Sequence, residues 1–299
     1  MKRVTQSLFF IFLLNTQAGL PQNLLRKHLV NCAPGDSSTF FYTNKTTAFY
    51  YGEACRLNAS AFQGFNVLTR EYFEDYVLQF DGNMLDRRTA EVFIYADRLL
   101  RKYSPQQITE EVILLDSLNV LAIKVSSQVQ GNLMLITGFP GSQQPQDFEV
   151  RWEREFGMLH VGQRALMDDG KSGKLPAWTA VATRPAATYV PYEANERAAL
   201  AKLFFAPTFV PGALHVTLRD SVLFYVIVGG DSKELMSVRS HVDGNLDRLI
   251  HERQNRLQKA LERGYMETDR SKFDLTVDWA ALSLNALLKE NSVKRLVAN

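Results

Sequence analysis

The sequence predicts a mainly β protein, a large antiparallel β-sandwich followed by two α-helices. From about residue 40 to residue 227, apolar and aromatic residues recur at alternate positions between turn residues, which is the pattern of many short strands. After Gly230 the apolar residues recur every three to four positions, which is the spacing of helices. With 46% hydrophobic and 22% charged residues, the composition is that of a globular protein. A length of 299 residues allows one large β domain or two ordinary ones.

Short runs of strand-forming residues and the turns between them define the predicted sandwich. Asp81-Gly82-Asn83 and Asp168-Asp169-Gly170 are tight-turn signals. Residues rich in Gly, Pro, Ser and Gln predict loops at 138–145 and 171–176. The runs that we expect to form strands include residues 92–95, 111–115, 120–125 and 133–139.

Residues 222–228 are almost wholly apolar and rich in β-branched side chains. A strand with one face in water would alternate apolar and polar residues, whereas a strand covered on both faces need not. We therefore expect a central strand here, ended by Gly229-Gly230.

Two helices are predicted after this strand. The first covers residues 234–263, with Ser232 as its N-cap and Gly264 as its C-terminal stop. The second covers residues 271–290, with Ser271 as its N-cap. Its apolar face needs a partner surface, and that face consists of Phe273, Val277, Ala281, Leu284 and Leu288.

The N-terminus has the pattern of a signal peptide. Lys2 and Arg3 precede an apolar run at residues 8–14, and Thr16-Gln17-Ala18 places small residues where a signal peptidase cleaves. The run is too short to span a bilayer. We expect export to the periplasm or outside the cell, with residues 1–18 removed; the alternative is a buried N-terminal strand or helix.

Cysteine usage excludes a disulfide scaffold and a four-cysteine zinc module, because only Cys32 and Cys55 occur. Export would permit these two to pair, but the sequence does not show whether their Cα atoms lie within bridging distance. Two segments, Asn44-Lys45-Thr46 and Asn58-Ala59-Ser60, match the N-glycosylation acceptor, which matters only in a eukaryotic secretory host.

The sequence contains no catalytic motif. The formal net charge of +2 and the lack of a basic patch argue against nucleic-acid binding. Gly170-Lys171-Ser172 lacks the earlier glycine of a phosphate loop, and no Gly-x-Ser-x-Gly elbow occurs. The five histidines do not have metal-ligand spacing. We therefore expect no catalytic residue, metal ion or cofactor. Carboxylates are numerous, and any single one is more simply read as a surface charge.

Three segments resemble amylo-α-1,6-glucosidases, which are glycogen-debranching-type six-hairpin glycosidases. Trp-Ala-Ala-Leu-Ser-Leu at residues 279–284, within residues 273–287, resembles the first helix of their (α/α)6 barrel. Thr69-Arg70-Glu71-Tyr72 is similar to a segment of their N-terminal β-supersandwich, and residues 108–115 resemble the strand that follows it. The order of sandwich, charged helix and barrel helix also agrees with that family.

The resemblance implies a β-supersandwich at residues 19–230, and a helical linker with the start of an incomplete barrel at residues 231–299. The family's general acid and base would lie beyond this chain, so no catalytic residue is transferred. The implied function is that of a non-catalytic N-terminal domain of a glycosidase that cleaves α-glucosidic bonds. Its partners would be the catalytic barrel and an α-glucan or other oligosaccharide. Arg70, Tyr72 and Trp178 are the candidate residues for glycan or interdomain contact.

Two other functions remain open. One is a free-standing carbohydrate-binding or structural sandwich whose helices fold back on its own sheet. The apolar face of the second helix distinguishes it from the first hypothesis, because that face is buried in a free-standing sandwich and exposed in a support domain. The other is a carbohydrate-modifying enzyme with convergent carboxylates inside the sandwich.

Overall fold

The computed structural model describes residues 25, 29–167, 175–205, 207–264, 268 and 270–287. The expected signal peptide, the predicted turn at Asp168-Asp169-Gly170 and Leu288 lie outside these residues. Within them the protein is mainly β, as predicted, with nineteen strands in three antiparallel sheets followed by two long helices.

The strands and helices are numbered here in chain order. The first half contains β1 Val30–Cys32, β2 Thr39–Thr43, β3 Ala48–Glu53, β4 Gly64–Val67, β5 Arg70–Phe73, β6 Asp75–Phe80, β7 Asn83–Met84, β8 Glu91–Ile94, β9 Leu99–Tyr103, β10 Ile108–Leu114, β11 Val120–Ser127 and β12 Gly131–Pro140. The second half contains β13 Phe148–Glu153, β14 Met158–Gln163, α1 Arg164–Met167, β15 Trp178–Arg184, β16 Thr188–Pro191, α2 Ala194–Ala201, β17 Thr208–Phe209, β18 Gly212–Leu218, β19 Ser221–Gly229, α3 Ser232–Gly264 and α4 Ser271–Leu287.

The three sheets form two layers around one large core. The nine-stranded sheet has the order β1-β8-β9-β10-β11-β19-β15-β14-β13. Opposite it lie the sheet β16-β18-β12-β6-β7, with β17 paired to β12, and the four-stranded sheet β2-β3-β4-β5. The last two sheets meet where Glu74 N donates to Gly138 O at 3.0 Å. The core between the layers contains side chains from all three sheets.

Strand β19 lies at the centre of the nine-stranded sheet, between β11 and β15, and confirms the prediction for residues 222–228. Alternate side chains enter two different cores. Val222, Phe224 and Val226 face the sandwich core, whereas Leu223 and Tyr225 face the core beneath α3. Both faces are covered, which explains why the run is apolar throughout.

Two of the predicted boundaries differ from the observed ones. The loop expected at residues 138–145 begins later, because β12 continues to Pro140 by pairing Gly138 with Asp75 and Phe139 with Phe209. The first long helix has Asp231 rather than Ser232 at its N-cap. Asp231 Oδ1 accepts from Glu234 N at 2.9 Å, and Glu234 Oε2 accepts from Gly230 N at 2.6 Å. The pair resembles a capping box, except that the Glu234 side chain accepts from the residue before the N-cap and not from the N-cap itself.

The two long helices form a third layer on the sandwich. Leu235, Val242 and Leu246 of α3 cover the outer face of the nine-stranded sheet. The C-terminal half of α3 then packs against α4, with Leu257 and Leu261 against Leu282. Helix α4 is also held to β2, since Thr43 Oγ1 donates to Ala286 O at 3.1 Å. Among the described helices, none is both long enough and apolar enough to cross a membrane.

Candidate functional site

The three residues expected to contact a glycan or a neighbouring domain lie close together. Arg70 on β5 donates from Nη2 to Gln163 Oε1 at 2.9 Å, at the end of β14. Tyr72 donates its hydroxyl to Pro176 O at 2.8 Å. Trp178 pairs with Gly162 where β14 meets β15. All three therefore converge on the adjacent ends of β14 and β15.

The three side chains differ in how much of their surface a ligand could reach. Tyr72 and Trp178 are buried, and Arg70 is half-buried. The guanidinium of Arg151 lies over the Trp178 ring, 4.9 Å from its centroid. Burial raises the pKa of Tyr72 to about 12, with a smaller opposing effect of Arg70, so its phenol stays protonated at neutral pH. Of the three, Arg70 offers a donor to an outside partner without rearrangement, and the contact role of all three stays a prediction.

A second group of polar residues lies deep in the sandwich core, centred on Glu110 and Arg101. They are direct cross-strand partners on β10 and β9, and Arg101 Nη1 lies 2.6 Å from Glu110 Oε1. Tyr103 donates to Glu110 Oε2 at 2.7 Å, and Tyr76 from the opposite layer donates to Glu110 Oε1. Arg101 Nε also donates to Ala54 O at 2.7 Å. This network ties the nine-stranded sheet to both opposing sheets.

A second buried ion pair lies beside the first. Arg87 Nη1 is 2.9 Å from Asp75 Oδ1, and Arg87 Nη2 donates to Tyr76 O at 2.9 Å. The guanidinium of Arg87 also lies over the Tyr76 ring, 4.6 Å from its centroid. Asn58 N donates to Asp75 Oδ2 at 2.9 Å. Each buried charge is thus paired and hydrogen-bonded, as burial in a core requires.

The electrostatics of this network do not suit acid catalysis. Burial acts to raise the pKa of Glu110, but Arg101 and Arg87 outweigh it and the pKa lies below its usual value. A general acid needs the opposite, a carboxyl group that keeps its proton near neutral pH. Both oxygens of Glu110 also already accept hydrogen bonds from the protein. Glu110 is therefore an ionised structural anchor.

A cavity of about 430 Å³ opens beside this network. Its floor includes Tyr103 and Leu85, and its lining also includes the half-exposed Arg56 and the exposed Arg88 and Asp86. Arg88 and Asp86 form an ion pair at 2.8 Å. The buried Arg87 and Glu110 also line it, so the cavity combines apolar side chains with charged groups both inside and at its mouth, as small-ligand pockets do.

The sequence analysis interpreted the carboxylates as surface charges, which is wrong for the fully buried Glu110, and it did not identify Arg101 or Arg87. A signal for Arg101 was present, since it shares the inward phase of β9 with Leu99 and Tyr103, just as Glu110 shares that of β10 with Ile108. A charged residue in the inward phase of a strand predicts a buried partner. Among the described residues, no group of three or more His, Cys, Asp or Glu side chains is arranged to hold a metal ion.

The surface of α4 is the third feature that bears on function. Phe273, Leu284 and Leu287 are 51%, 63% and 70% exposed. Val277 and Ala281, also on the predicted apolar face, are half-buried. The buried side of the helix carries Asp278 and Leu282, with Trp279 partly buried beside them. Helix α4 is therefore packed on α3 through one side and leaves large apolar side chains in solvent on another.

No family model matches the sequence, and no curated protein is significantly similar to it. Several solved structures are similar in fold at low identity. A bacterial glucoamylase complexed with acarbose is 11% identical with a TM-score of 0.49, over 76% of this chain and 37% of the glucoamylase. A protein from the human microbiome assigned as a kojibiose phosphorylase is 9% identical with a TM-score of 0.43, over 86% and 35%.

A mutant heparan sulfate lyase from Pedobacter heparinus is also similar, with 7% identity and a TM-score of 0.39 over 67% of this chain and 36% of the lyase. This chain therefore spans little more than a third of the length of each of these three proteins.

Proposed function

We propose that this chain is the non-catalytic N-terminal domain of an exported glycosidase of the glycogen-debranching type. In this proposal the sandwich and its two helices support a separate (α/α)6 barrel that cleaves α-glucosidic bonds. The chain's own contribution is to position that barrel, and its three resembling segments are those that the family places at the sandwich and at the first barrel helix.

The observation that carries the proposal is the exposed apolar surface of α4. Phe273, Leu284 and Leu287 present large apolar side chains to solvent on one helix, which is characteristic of a surface that another protein element covers. The same helix contains the segment that resembles a first barrel helix, at residues 273–287. The occupant that fits both observations is the remainder of a helical barrel, packed helix to helix.

The way α4 is fixed to the sandwich agrees with a domain that positions a neighbouring barrel. Arg256 on α3 donates from Nη1 to Asn285 Oδ1 at 2.7 Å, and Thr43 Oγ1 on β2 donates to Ala286 O at 3.1 Å. These contacts fix the C-terminal half of α4 to α3 and to the four-stranded sheet. An element that docks on the exposed side of α4 is thereby held in a defined orientation to the sandwich.

A surface test comes first. The double variant Leu284→Gln/Leu287→Gln should reduce self-association and binding of an apolar dye by the purified chain, and leave its thermal midpoint unchanged. The matched control is Phe62→Gln, which removes a side chain that is 68% exposed on a different part of the sandwich. If the control reduces dye binding as much as the double variant does, the apolar surface of α4 does not differ from other exposed apolar side chains, and it gives no support to a docking site.

The decisive test concerns the barrel. The reading frame should be sequenced beyond the codon for Asn299, and any helical-hairpin segment found there should be expressed separately with this chain. We expect association that the Leu284→Gln/Leu287→Gln variant weakens, and hydrolysis of α-glucan by the pair but not by this chain alone. A stop codon, or a barrel that neither associates nor acts on glycan, would contradict the proposal.

Export has its own test. The N-terminus of protein recovered from the periplasm or medium should begin near Gly19, which requires removal of residues 1–18. An intact Met1 on cytoplasmic protein would remove export from the proposal and leave the docking of a barrel untouched.

The 430 Å³ cavity favours a second candidate function, a carbohydrate-binding sandwich. Arg56, Arg88 and Asp86 at its mouth can exchange hydrogen bonds with sugar hydroxyl groups, and its size suits a single sugar residue. Titration calorimetry with maltose and maltotriose tests this function. Binding that Arg88→Ala abolishes and Arg98→Ala preserves would favour it, since Arg98 is a partly buried arginine outside the cavity. No heat with either sugar would count against it.

A further inference from the structure

We infer that Cys32 and Cys55 form an intramolecular disulfide that joins the two layers of the sandwich when the chain folds in an oxidising compartment. Cys32 ends β1, and Cys55 follows β3. These strands belong to different sheets, on opposite sides of the core.

The two thiols lie together in the structure. Both cysteines are reduced in the structure, both are buried, and both belong to the same core cluster. Cys55 Sγ lies 3.7 Å from the carbonyl oxygen of Ala33, the residue that directly follows Cys32. The Cys55 thiol therefore lies against the backbone next to Cys32, and the proposed bond requires the two Cα atoms to lie within about 7 Å.

The strand that a bond would secure is weakly held. Strand β1 has three residues, lies at the edge of the nine-stranded sheet and pairs only with β8 among the described strands. Edge strands of this length contribute little pairing energy of their own. A covalent link from Cys32 to the segment after β3 would hold β1 against the opposite layer and close this edge of the sandwich.

Burial also indicates when the bond forms. The pKa of Cys55 is raised to about 11, first by burial and then by the neighbouring Cys32, so the folded protein holds a thiol and very little thiolate. Because the thiolate is the nucleophile in disulfide exchange, oxidation should be slow after folding and fast during folding.

The reaction requires an oxidant, which we take to be a small-molecule or protein disulfide. One cysteine thiolate attacks this disulfide, forms a mixed disulfide and releases one thiolate. The thiolate of the second cysteine then attacks the sulfur of the first, forms the Cys32–Cys55 bond and releases the second thiolate. The two protein thiols are oxidised, the external disulfide is reduced, and the two protons end on the released thiols.

The test is to refold the reduced, denatured full chain with a mixture of reduced and oxidised glutathione and then to label thiols in denaturant. We expect no label on either cysteine, a mass lower by two hydrogen atoms, and a tryptic product that joins residues 28–45 to residues 46–56. Treatment with dithiothreitol should restore both labels and shift the urea midpoint to lower concentration.

Two comparisons make the result specific. Glutathione added after refolding should oxidise the pair far more slowly than glutathione present during refolding. In Cys32→Ser and Cys55→Ser the remaining cysteine should label fully or carry glutathione. The inference is wrong if both cysteines of the original chain label after refolding, if each carries glutathione, or if the cross-link joins two chains. None of these readouts depends on a barrel or a glycan.

Discussion

Arg253 of α3 lies 2.6 Å from Asp116 in the turn between β10 and β11, measured from Nη1 to Oδ1. Arg253 is almost fully buried, and its Nη1 also donates to Thr43 O at 2.9 Å. Arg256 contacts the same carboxylate through Oδ2 at 2.5 Å. One carboxylate thus holds two arginines of α3, one of which also reaches the strand beneath α4. The orientation of both helices on the sandwich depends on this group.

We predict that Asp116→Asn destabilises the protein by about 2–4 kcal/mol, because it leaves the buried Arg253 without its counter-charge. Urea unfolding at pH 7 measures the change. The control is Asp86→Asn, which removes the exposed partner of Arg88 and should cost less than about 1 kcal/mol. Equal effects of the two variants would show that the contact between Asp116 and Arg253 does not stabilise the helices.

The pH dependence of the same contact follows from its charge. Burial acts to raise the pKa of Asp116, but Arg253 and Arg256 outweigh it and the pKa lies below its usual value. The stabilisation is therefore present above the unfolded-state pKa near 3.8 and is lost as pH falls through the folded-state pKa. The difference in stability between the original chain and Asp116→Asn should shrink below about pH 4.

Glu71 predicts the opposite pH dependence. Burial, then Glu74 and then Asp75, raise its pKa from 4.5 to about 8, and its Oε1 has no hydrogen-bond partner among the described residues. The folded protein therefore holds a proton that the unfolded chain releases above pH 4.5. The contribution to stability is fully present below pH 4.5 and is lost as pH rises towards 8.

We predict that Glu71→Gln stabilises the protein by about 1–3 kcal/mol at pH 8.5 and has little effect at pH 4.5, because glutamine matches the protonated carboxyl group. Thermal unfolding at the two pH values measures this. Glu91→Gln, at an exposed position of β8, is the control and should be neutral at both. A stabilisation of the same size at pH 4.5 would contradict a raised pKa.

Local sequence patterns determine some features of this fold and leave others open. The strand at residues 222–228 was predictable, because a continuous apolar run admits few arrangements other than a strand covered on both faces. The N-cap of α3 was not, since Asp231 and Ser232 both suit an N-cap and only the path of the chain out of β19 decides between them. The pattern Asp-x-x-Glu at residues 231–234 was the better signal.

The polar network shows a further limit. The inward phases of β9 and β10 place Arg101 and Glu110 in the core, and their pairing across neighbouring strands could have been inferred. The hydroxyl of Tyr76 comes from the opposite layer, and no local pattern relates β6 to β10. The same is true of Arg70, Tyr72 and Trp178, whose convergence depends on how the four-stranded sheet packs on β14 and β15.

Asn44 illustrates a glycosylation motif that folding uses for another purpose. It is 0% exposed, and its Oδ1 accepts from the backbone N–H groups of Thr46, Thr47 and Ala48 at 3.0, 3.1 and 2.8 Å. Its Nδ2 donates to Leu118 O at 2.8 Å. The side chain thus shapes the turn between β2 and β3 and fastens it to the turn after β10.

We predict that Asn44→Ala destabilises the protein by about 2–3 kcal/mol, because it leaves buried backbone N–H groups without their acceptor. Asn44→Asp should also destabilise it, because a buried carboxylate oxygen then faces Leu118 O and Asn119 Oδ1 in place of the amide donor. Urea unfolding of both variants measures the two losses of stability. When the protein is secreted from a eukaryotic host, its mass should show no glycan at Asn44. A folded protein that carries a glycan there would contradict the described turn.

His160 lies on β14 of the nine-stranded sheet and has an unpaired buried ring. The ring is fully buried, and neither nitrogen has a hydrogen-bond partner among the described residues, although Nε2 lies 3.6 Å from Glu153 Oε1. Burial lowers the pKa of His160 below 6.5 and outweighs the opposing effect of Glu153, and Arg151 lowers it further. The folded protein therefore holds the neutral ring in conditions where the unfolded chain takes up a proton.

Stability from His160 is therefore fully present above pH 6.5 and falls as pH drops below that value towards the folded-state pKa. His160→Phe should remove this slope and leave the free energy of unfolding at pH 7.5 within about 1 kcal/mol, because the neutral ring makes no hydrogen bond that phenylalanine would lose. Urea unfolding at pH 7.5, 6.5 and 5.5 tests this. The control His251→Gln, on the exposed side of α3, should retain the slope of the original chain. If His160→Phe also retains it, the acid sensitivity arises elsewhere, because the buried imidazole would then contribute no proton uptake to unfolding.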